Sequence, residues 1–284
     1  MEIRSIDDAL SFLYSLSLNQ STFRFRGQAN FSWTLQPSLY RFDNFQRYQT
    51  VDYESNILQV KPPNAVPPLT HTAFDLEWLM LCQHYGVPTR LIDWTTEILI
   101  ALFFACSSEE ELSADGAVFI CNQNDYPMFT AYNERAKETQ ELAFISTNIV
   151  NPRLRMQSGC FMIRGHAPLD NESTESYDLW QYHEKRNDPH YLQKICIPEN
   201  AKKPILRELE EIYAITNDSV YIKNGYLERS YAPKFQELKE NARLMTLYKT
   251  DADRLSEEEE KKARSMFRID CRNMIGSCVN LRKM

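Results

Sequence analysis

Glycine is scarce in this chain, 7 residues of 284 against 13 prolines. Neither a Gly-x-Gly-x-x-Gly run nor a P-loop can be found, so the ordinary glycine-rich cradles for dinucleotides and nucleoside triphosphates are excluded as readable signals. Cysteine is present seven times without a single Cys-x-x-Cys pair. Scattered odd cysteines argue for reduced thiols and against a disulfide framework or a structural zinc site. His166, His183 and His190 have no metal-ligand spacing, so no metal is expected. Long apolar runs are lacking too: the longest, Ile98 to Cys106, is nine residues, where a membrane-crossing helix needs about 20. No membrane span is expected. Excess positive charge is also missing, with 32 Lys and Arg against 39 Asp and Glu, net −7. This makes nucleic acid the weakest partner class, although a local basic patch stays open. Near the N-terminus, Glu2, Asp7 and Asp8 stand where a secretory signal would be basic, which predicts a cytoplasmic protein.

What is present is the composition of a globular protein, 43% hydrophobic and 25% charged. A capping box at Ser5 and Asp8 opens an apolar stripe that predicts a helix over 6–18. Thr22 to Arg26 alternates strictly, placing Phe23 and Phe25 on one strand face and Arg24 and Arg26 on the other. A helix over 44–60 should end at Lys61-Pro62-Pro63, and the connector to Pro67-Pro68 reads as a hinge. A helix over 71–85 stops at Gly86 and Pro88, a strand follows at 89–94, and Thr95 or Thr96 caps a buried helix. Further strands are expected at 117–121, 154–164, 191–197 and 219–222, with helices near 203–213, 230–248 and after the capping box at Ser256 and Glu259. The fold class is α+β, a mixed, mainly antiparallel sheet with flanking helices in a single domain over 1–284, of which 226–284 is a helical C-terminal extension.

Two stretches crowd polar groups into turns. In Phe25-Arg26-Gly27-Gln28 an arginine meets a glycine that permits close backbone approach. Its fixed fork of donors suits phosphate or carboxylate, and structural pairing with an acidic residue would use the same donors. In Gln83-His84-Tyr85-Gly86-Val87-Pro88-Thr89-Arg90-Leu91-Ile92-Asp93-Trp94-Thr95, polar side chains occupy a helix end and the strand after it. His84 reads as a general acid or base, or as a complement to the helix dipole. Asp93 reads as a catalytic carboxylate, a clamp on Arg90 or a helix cap, and Trp94 as core or as a stacking platform. Arg26, His84 and Asp93 are expected to converge on one concave surface, and Gln28, Thr89, Arg90, Thr95 and Gln157 complete the expected cleft.

These stretches resemble the FRG domain, a bacterial and phage-associated family named for the triplet seen here as Phe25-Arg26-Gly27. The resemblance continues through Gln83 to Thr95, Ala101-Leu102-Phe103-Phe104-Ala105 and Asp115-Gly116-Ala117-Val118, with an echo in Arg153 to Phe161, and covers about 20–225. The order of signals is also similar to that of the ADP-ribosyltransferase superfamily: an Arg-Gly strand, a Thr strand running into an apolar helix, and a later strand carrying Gln or Glu. That likeness implies an effector acting on NAD, as a toxin or in defence against phage, with NAD as substrate rather than a resident cofactor. Its partners would be a small-molecule nucleotide or a protein acceptor. Arg26, Gln28, Thr89, Arg90, Trp94 and Thr95 would hold NAD, while Asp93, His84 and Gln157 would carry chemistry. Where such enzymes carry a glutamate, this chain offers Gln157. The alternative is a non-catalytic module that binds a nucleotide or protein in the same cleft.

Overall fold

Strand β1, Phe23–Gln28, realises the predicted alternation and lies near the centre of a seven-stranded sheet. The computed structural model describes residues 1–16, 22–41, 47–59, 74–129, 142–145, 152–164, 178–180, 191–222 and 225–250. The other strands are β2 Leu91–Thr95, β3 Gly116–Asn122, β4 Met128–Phe129, β5 Leu142–Ile145, β6 Gly159–Arg164 and β7 Leu192–Ile197, in spatial order β4-β5-β6-β2-β1-β3-β7. Every pairing is antiparallel except β4 with β5. The helices are α1 Ile6–Ser15, α2 Arg47–Gln59, α3 Phe74–His84, α4 Ile98–Cys106, α5 Pro152–Met156, α6 Glu199–Glu211, α7 Asn217–Val220 and α8 Gly225–Thr250. The α+β expectation holds.

The register divides the sheet. β1 pairs with β3 over six residues, Phe23 opposite Asn122 through Gln28 opposite Ala117, and β2 pairs with β6 over five. Between β1 and β2 only one pair is formed, Phe25 with Thr95. Two half-sheets therefore meet at a seam with a single rung. On one face, the β1–β3–β7 half is covered by α1, α4 and α6, burying Phe25, Val118, Ile120, Ile195 and Ile197. The β2–β6–β5 half is covered on that side by α2, α3 and α8, with Leu91, Phe161 and Ile163 buried against Trp78, Leu81 and Phe235. The opposite face, carrying Ile92, Trp94, Phe119, Phe144 and Met162, is closed by Leu35, Tyr126 and Leu179.

Helix α4 presses on β1. A Cβ on Gly27 would overlap the Ala101 carbonyl oxygen and stand 2.7 Å from the Ala105 nitrogen, so no larger residue fits without moving backbone. Lys202 of α6 is fully buried, and its Nζ donates to the carbonyls of Ala29 and Glu111, both at 2.6 Å, tying that helix to the loop after β1 and to the turn after α4.

Several expectations need correction. The segment expected as a strand at 219–222 is instead the short helix α7, because Thr216 and Ser219 form a capping box and Val220 turns into the core. The expected strand at 154–164 opens as helix α5 and becomes strand only after Ser158, whose φ of 45° breaks the chain direction. The helix expected near 203–213 starts at Glu199, since Asp115 Oδ1 accepts from the Glu199 N–H at 2.8 Å and caps it from far away in sequence. Pro204 thus lies inside the helix rather than in its first turn. The proline hinge at 61–68, the helix after Ser256, and His166, His183 and His190 lie outside the described residues.

Candidate functional site

At the seam the side chain of Arg26 takes over from the missing ladder. Register sets Arg26 opposite Phe119 and Asp93 opposite Phe161, which belong to opposite faces of the sheet. The opened gap lets the guanidinium reach Asp93: Arg26 Nη1 donates to the Asp93 carbonyl oxygen at 2.7 Å and stands 3.7 Å from its carboxylate. Around this pair lies a cleft of about 240 Å³, lined from β1, β2 and the end of α3 on one side and from Arg153, Leu154, Gln157, Gly159 and Tyr221 on the other. Arg26, His84 and Asp93 do share one concave surface.

Not every expected residue joins it. Trp94, Thr95 and Gln157 line the cleft, whereas Gln28, Thr89 and Arg90 do not. Arg90 is 1% exposed; its Nε and Nη2 grip Glu54 at 2.6 and 2.9 Å, and its Nη1 donates to the Arg164 carbonyl at 2.8 Å. It locks α2 to the start of β2 and has no donor facing a ligand. Gln28 is buried and donates to the Thr34 carbonyl at 3.2 Å. Trp94 packs chiefly as core, its ring 6.3 Å from that of Phe144. Thr95 Oγ1 donates to the Gln157 carbonyl at 2.7 Å and accepts from the Glu97 N–H at 3.1 Å, fixing the entry to α4. The Gln157 amide donates to the Val220 carbonyl at 3.2 Å.

Asp93 is the only carboxylate lining the cleft among the described residues, and its side chain is 49% exposed, open to the cleft. Gln83 Nε2 donates to its Oδ2 at 2.9 Å. Positive charge surrounds it: Arg26 and Arg153 line the cleft, and Arg41 lies close enough to act on Asp93. Burial draws Arg26 down to about 10, with Asp93 opposing the shift, so it is cationic at neutral pH. Burial, reinforced by the Arg153 guanidinium and opposed by Asp93, pushes His84 down to about 4. A neutral imidazole with so low a pKa is a hydrogen-bonding group at pH 7 and a weak general base. Its Nε2 is buried and finds no partner among the described residues.

The far wall is aromatic and cationic. Tyr221 stands edge-on to Phe104, centroids 6.0 Å apart, and Arg153 lies over the Tyr221 ring at 4.8 Å. Arg153, Tyr221, Phe104 and Gln83 were absent from the expected cleft. Arg153, Gln83 and Phe104 sit within the motif segments that carry the resemblance, while Tyr221 lies in the segment that reads as a strand at 219–222. Thiol chemistry has no support: burial pushes Cys160, which lines the cleft, up to about 12, and raises fully buried Cys82 well above the ordinary thiol range. No cluster of His, Cys, Asp or Glu among the described residues could hold a metal, and no helix among them is long and apolar enough to cross a membrane.

Compared with known families, residues 21–114 match the model of the FRG domain. The match holds Arg26, Gln83, His84, Asp93 and Phe104 and ends before β3, so the wall made by Arg153, Gln157 and Tyr221 lies outside it. No curated protein and no solved structure matches the chain.

Proposed function

Taking as premise a chain that carries an FRG domain, we propose that the seam cleft binds NAD and that the protein is an ADP-ribosyltransferase-like effector acting on it. The observation that carries this reading is the grouping, in one cleft, of a half-exposed Asp93, two arginines and the Phe104–Tyr221 aromatic pair. Cleaving the nicotinamide–ribose bond needs groups of these three kinds. Arg26 and Arg153 supply charge-assisted donors for phosphate oxygens. The aromatic wall supplies a face for the nicotinamide ring. Asp93 supplies the negative charge that stabilises the oxocarbenium-like ribose as the C1′–N bond breaks and its electron pair leaves with nicotinamide. Water or an acceptor nucleophile then bonds to C1′ and releases its proton to solvent. A cleft of about 240 Å³ suits the nicotinamide ribose half, with the adenosine half toward the opening. Depletion of NAD, or modification of an essential protein, would fit a toxin or a defence against phage.

A specific observation favours a second reading, a non-catalytic nucleotide- or protein-binding module. No glutamate lines the cleft among the described residues, and the amide of Gln157 is committed to Val220. One experiment separates the readings. The pure protein is incubated with NAD, nicotinamide release is followed, and binding is measured by calorimetry. The expected result is release by the wild type and a loss of about 10²–10³ in turnover for Asp93→Asn with affinity retained. Binding without release assigns the cleft to recognition; no binding at all removes NAD from both readings.

A further inference from the structure

The Gln83 to Thr95 segment holds a hydrogen-bond chain that ends on the Asp93 carboxylate. The Leu91 N–H donates to Thr89 Oγ1 at 3.2 Å, and Thr89 Oγ1 donates in turn to Gln83 Oε1 at 2.7 Å. Ser38 Oγ, 3.1 Å from Gln83 Oε1, adds a second donor there and accepts from the Thr89 N–H at 3.1 Å. Gln83 Nε2 then donates to Asp93 Oδ2 at 2.9 Å. The direction of this chain is fixed at its carboxylate end, where a flipped amide would set its oxygen against the carboxylate oxygen, two acceptors with no proton between them.

We infer that Gln83, oriented by Thr89 and Ser38, is the positioning residue that holds Oδ2 of Asp93 and leaves Oδ1 for the ligand. This rests on the reading of Asp93 given above. Arg26 cannot do this alone, since its short bond goes to the Asp93 main-chain oxygen and its nearest approach to the carboxylate is 3.7 Å. Without Gln83 the half-exposed carboxylate would be drawn to the surrounding guanidinium groups. Thr89, which does not line the cleft, thereby acts on it at one remove, and Gln83 itself touches no reacting atom.

The test combines a structure with a double-mutant cycle. In the crystal structure of Gln83→Leu the Asp93 carboxylate should leave its place and turn toward Arg26; a carboxylate that stays put overturns the inference. Thr89→Val, a smaller change that still folds if the leucine variant does not, should loosen the Gln83 amide and Asp93 in the same direction. In the nicotinamide-release assay Gln83→Leu should lower kcat about tenfold with KM nearly unchanged, and should cost nothing further on an Asp93→Asn background. Equal losses on both backgrounds would make Gln83 merely structural. Absence of release by the wild type defeats the NAD-cleaving reading alone, because the displacement of Asp93 in the variant structure still decides the role of Gln83.

Discussion

Two arginine–carboxylate pairs flank strand β2, and they are built to opposite ends. Arg90 and Glu54 are 1% and 5% exposed at the side chain, meet through two bonds, and spend a further donor on a main-chain carbonyl. Arg26 and Asp93 are 14% and 49% exposed, and their charged groups stay 3.7 Å apart. The chemistry of the two pairs is the same, but the first is saturated and dry while the second is unsaturated and open to solvent. Saturation makes a clamp, and an unsatisfied pair beside a cavity keeps its groups available to whatever enters it.

The comparison breaks most visibly at the clamp. Arg90→Met leaves Glu54 buried without its partner and should destabilise the protein by about 3–5 kcal/mol in urea denaturation. Adding Glu54→Leu should restore most of that loss, because a buried ion pair replaced by apolar groups of similar volume is close to neutral. If Arg90→Met costs nothing, the clamp reading is wrong.

At the open pair the expected effect is smaller and of a different kind. Arg26→Ala removes charge-assisted donors worth about 1.5–3 kcal/mol, so calorimetry should show NAD affinity falling by one to two decades while the melting temperature moves little. A large fall in melting temperature with unchanged affinity would make Arg26 a second clamp.

The effect that is nil at neutral pH and appears only in acid concerns His84. Its folded pKa of about 4 lies below the ordinary 6.5, so the unfolded chain binds the proton more readily. Its contribution is therefore fully present above about 6.5 and is lost as pH falls toward 4. His84→Asn should flatten the stability profile across that window and leave it unchanged at pH 8, as thermal melts over a pH series would show.

How far the sequence could lead is clear from these same residues. Alternation alone placed Phe25 in the core, and the polar density from Gln83 to Thr95 located one wall of the cleft. Local pattern failed where the partner is remote. Arg90 looks like a ligand-binding arginine because nothing in the pattern marks Glu54, 36 residues upstream in the helix expected over 44–60, as the group that neutralises it. Tyr221 lies inside a segment that reads as a strand until the Thr216 capping box is seen, and Glu199 begins a helix whose cap comes from Asp115. Gln83 was legible as a polar residue, yet its role depends on which of its amide atoms faces Asp93, and only geometry fixes that.

The single rung between β1 and β2 also bears on how the chain assembles as it is synthesised. Strand β2 is complete by residue 95 and is the first partner β1 could meet, but the native sheet uses that pairing least, at Phe25 and Thr95 alone. Full closure of β1 waits for β3 to emerge by residue 122, and β2 waits for β6 until residue 164. Both decisive pairings are distant in sequence, which makes for slow nucleation with exposed strand edges in the interval. The earliest contact commits the nascent chain to little, and β1 is free to take β3 when it arrives.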